Sequence, residues 1–337
     1  MKSRERVKRA IKFQNPDRVP ISHAILPAAQ LKYGEALNDI LAIVHEDFGW
    51  EYLPDLKRED YPPLYKTGKN YDDFGTLWNV EMEGICGIPI EYPLADWNKY
   101  GDYNWPDFGA GPPKARQYSG HMTGISEDYY ARGGWITFFE QIQQLRGMEN
   151  MLMDIAYQSK EIYRLRDDML EFNLDYLDKW LAHEYDGLHF ADDWGAQNAL
   201  IISPEQWRDF FKPAYKKMFD KIKSAGLDVH FHSDGQISDI IPDLIDIGVD
   251  VLNCQASVVG LEVIKKEFAG KISFRTDLNR QSVMPFGTPD EVKSHILEVF
   301  DSLGTPDGGI IACGEIGPDI PLENIKAMYE TFMNYNY

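Results

Sequence analysis

The stretch Leu227-Asp-Val-His-Phe-His-Ser-Asp-Gly235 decides how the chain is read. Leu227, Val229 and Phe231 alternate with polar residues at the period of a strand, and His232, Ser233 and Asp234 follow where that strand ends. Gly235 frees the backbone to turn. Ile237, Ile240, Ile241, Leu244 and Ile245 then recur at helical spacing up to Gly248, and a second apolar strand, Val249 to Cys254, delivers Gln255. Such a strand–helix–strand unit predicts an α/β protein with its site at the carboxyl ends of a parallel sheet. A lone histidine at a strand end is commonly a satisfied structural residue, but His230, His232 and Asp234 crowd together beside a turn glycine, which favours a functional role.

The same pattern recurs on both sides. Strand-like runs lie near 18–24, 120–126, 134–139, 187–192, 227–232, 250–254, 271–276 and 309–313. Residues 2–14 read as a basic amphipathic helix broken at Asn15-Pro16-Asp17, and 36–48 read as helical. In 159–185, Ile162, Leu165, Met169, Phe172, Tyr176 and Trp180 mark one buried helix face. Ser203-Pro-Glu-Gln206 and Thr288-Pro-Asp-Glu291 each supply an N-cap hydroxyl, a proline at N1 and an acceptor at N3. Eight strands interleaved with helices predict a (β/α)₈ TIM-like barrel, a single domain over 1–337. Residues 55–113, rich in Pro, Gly, Asp and aromatics with β-like pieces at 76–82 and 88–93, read as an insertion. It either covers the site as a lid or forms a solvated hairpin.

The formal charge of −20 argues against binding nucleic acid, and mildly against a polyanionic substrate. Cys86, Cys254 and Cys313 are too far apart for a disulfide framework, which suits a reducing cytoplasm. The start, MKSRERVKRAIKF, lacks the apolar segment of a signal peptide, and no run approaches the ~18 apolar residues of a membrane span.

The expected strand ends carry His23, Glu140, Asp192, Asp193, His232, Asp234, Gln255, Asp277 and Glu315, the last beside Cys313. No phosphate-cradling glycine loop is present. Asp192 and Asp193 read either as two competing carboxylates, one with a raised pKa, or as a loop cap beside a solvated acid. His232 and Asp234, with Cys313 or Glu315 from a distant strand, suggest a mixed metal site suited to zinc with one position open to substrate.

Pro16-Asp-Arg-Val-Pro20, Asp192-Asp-Trp-Gly195, Ile202-Ser-Pro-Glu-Gln-Trp207, His232-Ser-Asp-Gly235, the run from Gly308, and Pro321-Leu-Glu-Asn324 together resemble the uroporphyrinogen decarboxylase superfamily. The resemblance spans essentially the whole chain. It implies a distorted (β/α)₈ barrel, and either decarboxylation of tetrapyrroles or zinc-dependent methyl transfer with a corrinoid protein.

Departures from the motifs choose between these. The decarboxylases carry two substrate-clamping arginines after their Arg-x-Pro; the matching positions here are Ile25 and Ala29. The thiol-methylating relatives bind zinc with a His-x-Cys motif and a later Cys. Here the His matches His232, the first Cys falls on Asp234, and the second falls at or beside Cys313. Carboxylate in place of thiolate gives a harder, more Lewis-acidic metal, better suited to polarising the oxygen of a methyl ether or methanol. The expected function is transfer of a methyl group from a small methylated donor, such as a methoxylated arene, to a corrinoid protein. Asp192, Asp193 and His232 are the expected catalytic residues. His23, Trp194, Gln197, Gln255 and Asp277 are the expected substrate contacts, and His232, Asp234, Cys313 and Glu315 the metal ligands. Tyr61, Tyr65, Tyr71, Trp78, Trp97 and Trp105 of the insertion are candidates to line an aryl site or simply to pack. A homodimer fits the reading. A decarboxylase or lyase for a small carboxylic acid, and a barrel that only binds a ligand, are the alternatives.

Overall fold

The computed structural model describes residues 1–51, 62–109, 121–122 and 127–335. Its strands are β1 (Ala24–Ile25), β2 (Trp50–Glu51), β3 (Gly68–Tyr71), β4 (Leu77–Val80), β5 (Ile88–Glu91), β6 (His121–Met122), β7 (Arg132–Ile136), β8 (Gly187–Ala191), β9 (Asp228–Ser233), β10 (Val251–Cys254), β11 (Ser273–Arg275), β12 (Ile310–Ile311) and β13 (Glu315–Ile316). Strands β7 to β12 lie side by side in chain order and in parallel. The chain then continues into β13, which pairs in parallel with β1, and Ile21 bridges Ala312.

One residue spans the gap left between β1 and β7. The Asp47 N–H donates to the Ile21 carbonyl at 2.9 Å, and the Asp47 carbonyl accepts from the Tyr130 N–H at 3.1 Å. The fold is a TIM barrel. The Asp47 carboxylate is fully buried and is held by Arg6 at 2.7 Å, Arg18 at 2.8 Å and the Ile21 N–H at 2.8 Å. Asp17 and Arg18 of the Pro16–Pro20 motif therefore serve barrel closure, since Asp17 also binds Arg6.

This corrects the expected second strand near 120–126. Of that stretch, His121–Met122 is described, and it pairs antiparallel with β2 rather than in parallel within the barrel. The second position is taken by Asp47, part of a stretch expected to be helical. The helix there ends at Leu41. A strand signalled by a buried aspartate has no apolar alternation to reveal it.

Outward-facing residues of the barrel strands, among them Leu188, Phe190, Val229, Phe231, Leu252 and Phe274, pack against the surrounding helices. These include Lys160–Leu181, Lys212–Ser224, Pro289–Leu303 and Leu322–Asn334. The capping boxes expected at Ser203 and Thr288 are both formed.

Inward-facing residues rise along the strands in alternate steps. Tyr130, Val251 and Ile311 make an apolar floor with Phe48, sealed by Val7 and Ile11 of the N-terminal helix Ser3–Ile11. Two residues further along their strands stand Arg132, Asn253 and Cys313, joined by Arg275, two beyond Ser273, which pairs with Val251; these form the waist. Two further on, Gln255, Asp277 and Glu315 join Asp234 at the rim. The period of two along a strand makes these levels.

In the insertion, β3, β4 and β5 form an antiparallel sheet. Asn79, Met82, Ile85, Cys86 and Ile88 of this segment form one wall of a cavity whose other wall is the barrel rim.

Candidate functional site

The loops after β8 and β9 lock together back to back. Asp192 N–H donates to the His232 carbonyl, Gly195 N–H to the Asp234 carbonyl, and Gln236 N–H to the Ala196 carbonyl. Trp194 N–H donates to Ser233 Oγ at 3.0 Å, and Asp234 N–H to Asp193 Oδ1 at 2.8 Å. A Cβ on Gly235, at φ +80°, would lie 2.1 Å from the Gly195 carbonyl oxygen, so the closing glycines of both motifs are needed for this approach.

The locked loops bring Asp193, His232 and Asp234 together, with one ligating atom of each within 4.8 Å of the others. His232 Nε2 is 3.5 Å from Asp193 Oδ1 and 3.6 Å from Asp234 Oδ1. Its Nδ1 is 2.7 Å from Asn253 Oδ1. Asn253 Nδ2 donates to the carbonyls of Arg275 and Thr276, and Arg275 donates to Asn253 Oδ1, so that oxygen is an acceptor. His232 Nδ1 must therefore carry a proton, so the neutral tautomer has its lone pair on Nε2, aimed between the two carboxylates.

Arg280 organises the rest of the rim. Its Nη2 donates to both oxygens of Asp234 at 2.8 and 2.9 Å, its Nη1 to Glu315 at 2.9 Å, and its Nε lies 3.4 Å from Asp277. Burial works against the guanidinium charge, but Asp277, Glu315 and Asp234 outweigh it and hold its pKa raised. Burial pushes the Asp277 carboxyl up to about 7. Asp234, Gln255, Arg280 and Glu315 line the cavity under the insertion, of 840 Å³. Gln255 accepts from the Gly235 N–H at 2.9 Å.

A smaller cavity meets the first at Cys86 and is lined by Glu140, Thr137, Tyr65 and Trp78. Burial, then Asp193 and Asp192, raise the Glu140 carboxyl well above the ordinary range. Burial also raises Asp193, against the opposing charge of His232.

Several expected roles change. Asp193 belongs with the metal-ligand candidates His232 and Asp234, whereas Glu315 and Cys313 stand outside that group. The Glu315 carboxylate is engaged by Arg280, and Cys313 lies buried at the waist, where burial raises its thiol pKa. Asp192 is fully buried and accepts from the backbone N–H groups of Phe138 and Glu140 and from the Tyr215 hydroxyl at 2.6 Å. It fixes the turn that presents Glu140; burial carries its pKa to about 7 in spite of these bonds.

Trp194 is buried against Phe139, 4.0 Å between ring centroids, and is core rather than a substrate contact. Gln197 lies exposed on the loop after β8. His23 faces outward and meets the Tyr329 hydroxyl at 2.7 Å; burial lowers its pKa to about 4. Of the insertion aromatics, Tyr65 and Trp78 reach the smaller cavity. Trp97 packs under Arg146, Trp105 stacks on Phe172, Tyr71 is exposed, and Tyr61 lies outside the described residues.

Arg280 is not legible from the strand ends, because it sits in the loop beyond β11, three residues past Asp277. The Asp277-x-x-Arg280 spacing is the signal that was available.

Residues 133–335, more than half of the chain, match the family model described as uroporphyrinogen decarboxylase (URO-D). Among solved structures, a methyltransferase from Methanosarcina mazei aligns over 99% of this chain and 98% of its own, with a TM-score of 0.67 and 16% identity. That likeness is one of fold. A dihydropteroate synthase from Burkholderia cenocepacia aligns over 44% of this chain and 54% of its own, with a TM-score of 0.32 and 10% identity, too remote to carry an argument. No curated protein sequence matches the chain. Among the described residues, no helix is long and apolar enough to cross a membrane.

Proposed function

The chain belongs to the uroporphyrinogen decarboxylase family, and from that premise we propose that it is a methyltransferase. It takes a methyl group from a small methylated oxygen compound, a methyl ether such as a methoxylated arene or methanol, and passes it to a corrinoid carried by a partner protein. The observation that carries this reading is the His232 Nε2 lone pair aimed between Asp193 and Asp234.

One imidazole and two carboxylates, with the imidazole oriented by Asn253, form a donor set that fits zinc. Asp193, His232 and Asp234 would hold the ion, which when bound supplies Lewis acidity at the donor oxygen. The corrinoid supplies the nucleophile that accepts the methyl group. Arg280 offsets the negative charge that Asp234, Asp277 and Glu315 concentrate at the rim.

As the methyl–oxygen bond breaks, the oxygen needs a proton. Glu140, whose carboxyl burial and the neighbouring Asp193 push toward the protonated form, is the proton store for that step. Met82, Ile85 and Ile88 of the insertion give the cavity an apolar wall. Decarboxylation of a porphyrinogen finds no support: Ile25 and Ala29 occupy the two arginine positions, and the acidic rim repels a polycarboxylate.

The test joins metal analysis to a methyl-transfer assay with a reduced corrinoid protein and methoxylated or methanol donors. The purified protein should carry about one zinc per chain. His232→Ala should lose both metal and turnover. Glu140→Gln should keep the metal and lose about 10²–10⁴ in rate, the range of general acid help. Full activity in a metal-free, chelator-insensitive preparation would overturn the reading.

A further inference from the structure

We propose that the waist of the barrel is a binding site for a small monocarboxylate, gripped by Arg132 and Arg275 and flanked by His189. This goes beyond the reaction assigned to the rim and does not depend on it.

The chain pairs its other buried or part-buried arginines with acids. Arg6 is paired with Asp17 and Asp47, Arg146 with Asp154, and Arg280 with Asp234, Asp277 and Glu315. Arg132 and Arg275 are as deeply buried, 7% and 8% exposed, yet neither has a carboxylate partner among the described residues. Arg275 spends only Nη2, on Asn253 Oδ1 at 2.6 Å. Arg132 Nη1 is buried with no acceptor, and its guanidinium lies 5.2 Å from the Phe48 ring centroid. Both nitrogens of His189, 2% exposed, are also buried without a partner.

Glu46 contributes a carboxylate charge to Arg132 without an ion pair between them. The groups whose charge acts on Arg132 are Arg275, Cys313, Tyr130 and Glu46; burial, then Arg275, lower its pKa to about 9. Around His189 stand Arg132, Arg275, His232 and His230, and burial holds both His189 and His230 neutral. Two unpaired guanidinium groups in a chain of net charge −20 form a built cationic site without its anion.

The chemistry of the two guanidinium groups selects the ligand. A planar carboxylate matches the guanidinium fork with two parallel hydrogen bonds. A dianion such as phosphate would be repelled by the acids of the rim above. Asn253 Oδ1 is shared by Arg275 and His232 Nδ1, so a carboxylate held by Arg275 would lie close to the His232 imidazole. Its body would then extend upward into the cavity under the insertion.

The experiment measures thermal unfolding and calorimetric binding of the full chain in EDTA, so that no metal ion can be what holds the ligand. The probes are acetate and benzoate, their uncharged counterparts acetamide and benzamide, and inorganic phosphate. Carboxylates are expected to bind and raise the Tm, amides and phosphate to do neither, and the effect to survive raised salt because the site is buried. Arg132→Met should weaken carboxylate binding about ten- to a hundredfold, the worth of a charged hydrogen bond. If that variant does not fold, Arg132→Lys and the carboxylate-against-amide comparison on the unaltered chain decide. Equal responses to carboxylates and amides, no carboxylate binding at about 10 mM, a stronger response to phosphate, or undiminished binding by a folded position-132 variant would each overturn the assignment.

Discussion

Asp277 and Arg275 stand two residues apart at the end of one strand, and both are buried, yet their surroundings differ in kind. The rim around Asp277 gathers Asp234, Glu315 and Asp193 and threads one cation, Arg280, among them. The waist around Arg275 holds a second guanidinium and two neutral histidines, with no carboxylate paired to either arginine among the described residues. At the rim the charges are of mixed sign and already share hydrogen bonds, so removing the cation strands the anions. At the waist the charges are alike, and removing one relieves the other. Buried ion pairs and buried like charges thus give substitutions of opposite sign.

The largest effect is expected at Arg280. Arg280→Met leaves Asp234, Asp277 and Glu315 without their shared partner, and should cost about 3 kcal/mol in urea unfolding at neutral pH. A neutral outcome would mean that solvent, rather than Arg280, balances the rim.

Asp277 sharpens the same point through pH. Its folded-state pKa of about 7 lies above the ordinary carboxyl value, so between about pH 4 and pH 7 the folded chain holds a proton that the unfolded chain has lost. That contribution to stability is present at low pH and is lost as pH rises toward 7. Asp277→Asn should therefore gain on the unaltered protein by about 2 kcal/mol between pH 5 and pH 7 and no further above it. A constant difference across that range would remove the raised pKa.

The smallest effect, and the one of opposite sign, belongs to the waist. Arg132→Met should leave the ligand-free protein as stable as before or more stable by about 1 kcal/mol. A clear loss of stability in chemical denaturation would mean that the two arginines are already balanced within the fold.

Much of this architecture was legible along the chain. The alternation of Leu227, Val229 and Phe231 before His232 placed a strand with a polar carboxyl end, and the same reading located most of the barrel. The hydroxyl–Pro–acid starts at Ser203 and Thr288 fixed two helix ends, because capping is a matter of residues three apart. His232 with Asp234 was legible as a pair for the same reason: one strand end presents both. The Asp193 contribution to that group was not, since it depends on Gly195 and Gly235 allowing two loops to touch. Nor was the division of labour between Asp192 and Asp193, adjacent residues of one type, one of which turns into the packing under Tyr215 while the other faces the rim.

What the sequence determined by itself were the features carried by local period and local hydrogen bonding: the strand and helix alternation, the caps, and the polar strand ends that make a barrel mouth. What only the tertiary structure decided was which charges meet. Asp47 closes the ring because Arg6 and Arg18 converge on it, Glu315 and Asp234 share Arg280, and Arg132 and Arg275 are left without a carboxylate partner among the described residues. Periodicity specifies which side of an element a residue occupies, but the partner of a buried charge is set by strand register and loop contact between distant segments. No spacing along the chain encodes those distances.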